Sequence, residues 1–170
     1  MNNIPAYFLI GYSGVGKTTL GFMLQEYLAK KNITSFVLDN NDMQEFHITS
    51  TFGGMDIDSR YKRAMQVTNL INWIKNQGIT PIIPAIGQPA KARELWIENI
   101  VGYTEIHLIC DIETCIKRDN KNIYNTKDSN PKIIGIDIPY EEPENSHVNL
   151  NAKDNTPEQL LAQLVGELGI

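Results

Sequence analysis

Gly11-Tyr12-Ser13-Gly14-Val15-Gly16-Lys17-Thr18 completes the pattern G-x-x-x-x-G-K-[ST], and this octapeptide limits the possible folds more than any other stretch of the chain. The pattern carries chemistry only between a buried strand and a helix, and both flanks are present. Ahead of it, Ala6-Tyr7-Phe8-Leu9-Ile10 is a near-continuous apolar run suited to a central parallel strand. Behind it, Leu20, Met23, Leu24, Tyr27 and Leu28 recur at three- and four-residue spacing, and Lys30-Lys31 follow where a helix dipole favours cations. In that setting the unpaired N–H groups that open the helix converge on an anion. Glycines let the chain wrap a phosphate tail, Lys17 neutralises its terminal charge, and Thr18 offers a hydroxyl to Mg²⁺. Average composition yields such a match in roughly one chain of this length in a hundred. The motif therefore marks a nucleoside triphosphate site made by Gly11, Ser13, Gly14, Val15, Gly16, Lys17, Thr18 and Thr19.

Strands and helices alternate through the rest of the chain, the signature of a parallel sheet covered on both faces. Ser35 to Leu38 reads as a second strand. Ser59 to Gln77 reads as a helix with Ala64, Val67, Ile71 and Ile74 on one face and Gly78 as its stop. Ile79 to Ile86 is expected as a third strand, although Pro81 and Pro84 within it would each delete a ladder hydrogen bond at a central position. Pro89 suits the first turn of a helix reaching Ile100, ended by Gly102; Thr104 to Ile109 is a fourth strand and Ile112 to Asp119 a short helix. The polar stretch of about 120–134 is expected to be a mobile flap. Thr156, Pro157 and Gln159 open a last helix that buries Leu160, Leu161, Leu164 and Leu168. The expected fold is a three-layer α/β/α sandwich with a mostly parallel five-stranded sheet, in one domain over residues 1–170.

Charge excludes several partners. Fifteen Lys and Arg against twenty Asp and Glu leave a net charge of −5, so the basic footprint of a nucleic-acid binder or an anionic-membrane binder is missing. The start Met1-Asn2-Asn3-Ile4-Pro5 has no basic segment, and the apolar run behind it is too short for a signal or a span, which gives an expected cytoplasmic location. Cys110 and Cys115 are too few for a disulfide framework and are read as reduced, buried thiols. His47, His107 and His147 share no metal-ligand spacing, and His107, inside a strand, is read as structural. Hydrolase elbows and paired C-x-x-C motifs are absent from the sequence.

From Phe8 to Leu161 the order of motifs resembles the adenylylsulfate (APS) kinase family, P-loop enzymes that phosphorylate the 3′-hydroxyl of a nucleotide with MgATP. The landmarks are Gly11 to Leu20 for G-x-S-G-x-G-K-T-T, Cys115 to Tyr124 for C-x-x-R-D-x-K-G-L-Y, and Gly135-Ile136-Asp137-Ile138-Pro139-Tyr140-Glu141-Glu142-Pro143 for G-I-D-x-P-Y-E-x-P. The resemblance implies ATP and Mg²⁺ as cofactors, a small nucleotide as acceptor, a homodimer, and Arg118 beside the ATP base. The family's D-G-D-N reads Asp39-Asn40-Asn41-Asp42 here. Asn41 accepts a hydrogen bond but takes no proton at neutral pH, which leaves Asp39 as general base or hydroxyl-orienting group, helped by Asp42. A polar turn after a strand is the competing reading of both carboxylates. Lys17 and the flap lysines Lys121 and Lys127 are expected to stabilise the transferring phosphoryl group.

Departures gather on the acceptor side. The Arg of the family's D-N-V-R aligns with Gln44, and in D-R-x-x-N-I-R-R the first Arg survives as Arg60 while Asn becomes Arg63 and the last pair becomes Met65-Gln66. The S-P-[FY]-R segment becomes Gly87-Gln88-Pro89-Ala90, and the two Phe that sandwich adenine align with Met55 (or Phe52) and Ile133. Loss of two aromatic faces costs a few kcal/mol of base stacking, judging from about 1–3 kcal/mol per base elsewhere. The expected acceptor contacts are Asn41, Arg60, Arg63, Ile133 and Tyr140. A related branch of the family phosphorylates cytidine diphosphoramidate in bacterial capsule decoration, and a smaller pyrimidine suits aliphatic walls; that acceptor is expected ahead of APS. A catalytically weak nucleotide-binding subunit is the rival reading from another class.

Overall fold

All five residues of the strand Ala6–Ile10 (β1) are buried, as a strand covered on both faces requires. The computed structural model describes residues 4–45, 56–120, 122–125 and 133–170. Its other strands are Ser35–Val37 (β2), Thr80–Ala85 (β3), Tyr103–Ile109 (β4) and Val148–Asn151 (β5), joined in the order β2-β3-β1-β4-β5. Every pairing is parallel, so the sheet expected to be mostly parallel is wholly so among the described residues. The helices are Lys17–Lys30 (α1), Asn40–Glu45 (α2), Ile57–Asn76 (α3), Ala90–Asn99 (α4), Ile112–Lys117 (α5) and Pro157–Leu168 (α6).

Alternation along β1 divides the core into two layers. Tyr7 and Leu9 join Leu20, Leu24 and Leu28 of α1 and Leu160 and Leu164 of α6 on one face. Ala6, Phe8 and Ile10 join Ala64, Val67 and Ile71 of α3 and Trp96 of α4 on the other. That is the three-layer sandwich.

β3 lies inside the sheet in spite of its two prolines. Thr80 donates its N–H to the Thr34 carbonyl, and the Ile82 carbonyl accepts from Leu38, both at 2.9 Å, so the even-numbered residues of β3 turn their main-chain groups toward β2. The odd-numbered ones turn toward β1. Pro81 therefore faces β1 one row before their first pair, Tyr7 with Ile82, and Pro84 faces β2 beyond the last pair, Val37 with Ile82. Neither proline removes a ladder bond.

Helix ends follow their capping chemistry. Asp56 caps α3 by accepting the Ser59 N–H at 2.9 Å, which starts that helix ahead of its expected position at Ser59. Thr156 and Gln159 form the expected capping box on α6. Pro89 precedes α4 as its cap residue, outside the first turn where the sequence placed it. Because all five strands run the same way, the segments after them meet along one edge of the sheet, with the Gly11–Lys17 loop at its centre. Among the described residues, no helix is long and apolar enough to cross a membrane.

Candidate active site

α1 begins without a side-chain cap. Its cap residue, Gly16, is left-handed at φ 104°, so the main-chain donors of the first turn face outward with no hydroxyl or carboxylate closing them off. Val15 is buried and anchors the loop in the core, while Gly14 is exposed on top. Gly14 has φ 78°, and a Cβ there would stand 2.6 Å from the Cys115 carbonyl oxygen. That wall is backbone and cannot turn aside, so the loop requires glycine. Lys17 is buried, and its ammonium donates to the carbonyls of Gly11 (2.9 Å) and Tyr12 (2.6 Å), inside the curve of the loop. Thr18 is half-buried and Thr19 exposed at the rim.

A cavity of about 470 Å³ opens beside the loop, between Gly16, Thr19 and Leu20 on one side and Arg118, Lys153 and Pro157 on the other. Arg118 follows α5 and donates to the carbonyls of Ala152 (2.7 Å) and Lys153 (3.0 Å), which turns its guanidinium into a fixed wall. Lys153 in turn pairs with Asp111 at 3.1 Å, and Asp111 caps α5 through Thr114. Of the expected residues, Gly14, Val15, Gly16, Thr19 and Arg118 line this cavity, whereas Gly11, Ser13, Lys17 and Thr18 do not.

Asp39 follows β2 on the same edge and is buried. It caps α2: Oδ1 accepts the Asp42 N–H at 3.3 Å, while Asp42 Oδ2 accepts the Asp39 N–H at 2.9 Å. One oxygen of each carboxylate is thereby committed to holding the helix start. The main chain of Asn41 lies within α2. Arg60 and Arg63 lie one turn apart on α3, both half-buried. Burial lowers the pKa of each, and the neighbouring Arg63 charge lowers that of Arg60 further. The Asp56 carboxylate opposes this in both, so its charge already offsets part of the positive charge of the pair.

The segment from Ile133 to Glu142 docks onto the phosphate loop. Gly135 has φ 92°, and a Cβ there would meet the Tyr12 ring at 2.5 Å. Tyr140 packs against Tyr12 with ring centroids 4.5 Å apart and the planes tilted by 38°, and among the described residues its buried hydroxyl has no partner. Ile133 donates its N–H to Asp137 Oδ2 at 2.8 Å, and Glu141 accepts the Ala90 N–H at 2.6 Å. Gly135, Asp137, Tyr140 and Glu141 of this landmark therefore each have a local reason. His107 is buried near Tyr140 as the structural reading required, and Cys110 and Cys115 are free and buried. His47, Phe52, Met55, Lys121 and Lys127, with most of the expected flap, lie outside the described residues.

Two tyrosines went unassigned by sequence reasoning. Tyr12 carries the tilted ring contact with Tyr140, and Tyr124 donates its hydroxyl to the Ser13 carbonyl at 2.9 Å. The only signal for Tyr124 was its place at the end of the Cys115 to Tyr124 motif.

The family model described as adenylylsulphate kinase matches residues 5–151. Among curated relatives, the chain is 28% identical over 172 aligned residues to cytidine diphosphoramidate kinase of Campylobacter jejuni subsp. jejuni, covering 99% of both chains. It is 29% identical over 159 residues to adenylyl-sulfate kinase of Thermodesulfovibrio yellowstonii, covering 88% of this chain and 78% of that one. Among solved structures, the Mycobacterium tuberculosis APS kinase CysC in complex with AMPPNP and APS matches with a TM-score of 0.87 at 21% identity over 98% of both chains.

Proposed function

The chain belongs to the adenylylsulphate kinase family and is a nucleotide kinase, and on that premise we propose that it transfers the γ-phosphoryl group of ATP to the ribose 3′-hydroxyl of cytidine diphosphoramidate. The observation that carries the reading is the uncapped start of α1 at the sheet's centre, with Lys17 inside the loop and the Asp39 carboxylate on the same edge. The cavity between Thr19 and Arg118 holds the ATP base and ribose. Main-chain amides and Lys17 hold the phosphates, and Asp39 orients the accepting hydroxyl for in-line attack, so that positioning supplies most of the rate.

Mg²⁺ suits the donor set. The Thr18 hydroxyl, at the start of α1, is a hard oxygen ligand of the kind this ion takes beside phosphates and water. Bound there, it would neutralise charge on the phosphate oxygens.

The acceptor assignment rests on two supports. The cytidine diphosphoramidate kinase of Campylobacter jejuni aligns over 99% of both chains. Ile133 stands where the family resemblance has a stacking Phe. In this reading Arg60 and Arg63 meet the acceptor's anionic 5′ group, as they would for either acceptor. APS is the second reading, favoured by the adenylyl-sulfate kinases that match at similar identity. We take residues 1–170 as one kinase domain and, from the family resemblance, as a homodimer. ADP release measured with cytidine diphosphoramidate, APS and CDP in parallel tests the assignment. The first should exceed APS in kcat/KM by about tenfold or more. Turnover of APS alone would reassign the acceptor, and turnover of none would leave a nucleotide-binding subunit.

A further inference from the structure

The Ser13–Gly14 peptide is gripped on one side only. Its carbonyl accepts the Tyr124 hydroxyl at 2.9 Å, while the N–H of Gly14 has no acceptor among the described residues. The peptide is trans, and in a planar trans peptide C=O and N–H point in opposite directions. A donor that fixes the carbonyl beneath the loop therefore fixes the N–H on the other side, where the loop opens to an anion. Gly14 also faces the Cys115 carbonyl closely enough that a Cβ would stand 2.6 Å from its oxygen.

Tyr124 is itself placed. Its N–H donates to Asp119 Oδ2 at 2.9 Å, and its ring packs against the core cluster that includes Cys115 and Val15. Burial raises the pKa of its hydroxyl, which stays a donor throughout the physiological range. A tyrosine 111 residues away in sequence thus sets one peptide of the phosphate loop.

We propose that Tyr124 is a positioning residue for polyphosphate binding: through the Ser13 carbonyl it presets the Gly14 N–H as a donor to the nucleotide's β-phosphate. The proposal rests on the reading that this loop holds an ATP or ADP tail. A preset donor requires no reorganisation when the phosphate arrives, and its value appears only for ligands that reach it.

Calorimetric titration with ADP and with AMP, which lacks the β-phosphate, tests this on the full chain. Four proteins are compared: wild type, Lys17→Ala, Tyr124→Phe and Tyr27→Phe. Tyr27 is the control, because its hydroxyl donates to the Ile170 carbonyl at 2.8 Å, at the far end of the chain from the Ser13–Gly14 peptide. Tyr124→Phe should weaken ADP by roughly five- to tenfold and leave AMP within about twofold. Tyr27→Phe should bind both as wild type does. Equal loss for ADP and AMP would overturn the proposal by showing a general packing role, and so would unchanged ADP affinity. Wild type that does not bind ADP, or Lys17→Ala that binds it undiminished, would instead remove the phosphate-loop reading, and the proposal with it.

Discussion

Asp39 and Asp42 cap each other, each carboxylate accepting the other's main-chain N–H at the start of α2. The capping role and the proposed catalytic role of Asp39 are separable, because asparagine caps a helix about as well as aspartate but has no carboxylate charge. Asp39→Asn should therefore melt close to wild type and bind ATP within about twofold, while kcat falls by roughly a hundredfold or more. Steady-state kinetics beside a thermal melt decide it. An unchanged kcat would leave Asp39 a capping residue only.

Gly14→Ala tests the loop's shape. A left-handed residue with a Cβ costs about 1–2 kcal/mol, and the clash with the Cys115 carbonyl adds to it. The variant should melt several degrees lower and lose ADP affinity. Wild-type stability and binding would show that the loop has more room than its geometry indicates.

Burial holds His107 below its ordinary pKa of 6.5 against smaller opposing effects of Glu142 and a hydrogen bond to Asn149, while the Arg93 charge pushes the same way as burial. The unfolded chain then binds a proton below about 6.5 that the folded one refuses, so stability is complete above that pH and declines as pH falls toward the folded value. In urea titrations from pH 7.5 to 5, wild type should lose midpoint faster than His107→Gln. Parallel curves would mean that His107 titrates normally.

Burial first, and then the neighbouring Cys110 thiol, push Cys115 up to about 12. With little thiolate at pH 8, native protein should react with iodoacetamide far more slowly at this residue than urea-unfolded protein. Mass spectrometry of the alkylated peptides reads the ratio; comparable rates would show that Cys115 is accessible.

What the sequence disclosed and what it concealed divide along a physical line. β1, the phosphate loop and the capping box of α6 were legible because each is written in contiguous residues with a local energetic reason. β5 could not be placed, since an edge strand of four residues turns only Val148 and Leu150 inward, too few to establish a period. The prolines of β3 warned against a central strand, and only the direction of their missing N–H groups resolves the conflict. Tyr124 meeting Ser13, and Arg118 meeting Ala152, are contacts across the fold that no spacing rule encodes.

The position of the new phosphate tests the account most directly. After incubation with ATP, Mg²⁺ and cytidine diphosphoramidate, ³¹P NMR of the purified product should show a phosphomonoester on the ribose 3′-oxygen, formed in step with ADP. Phosphate at any other oxygen, or release of inorganic phosphate with the nucleotide unchanged, would contradict it.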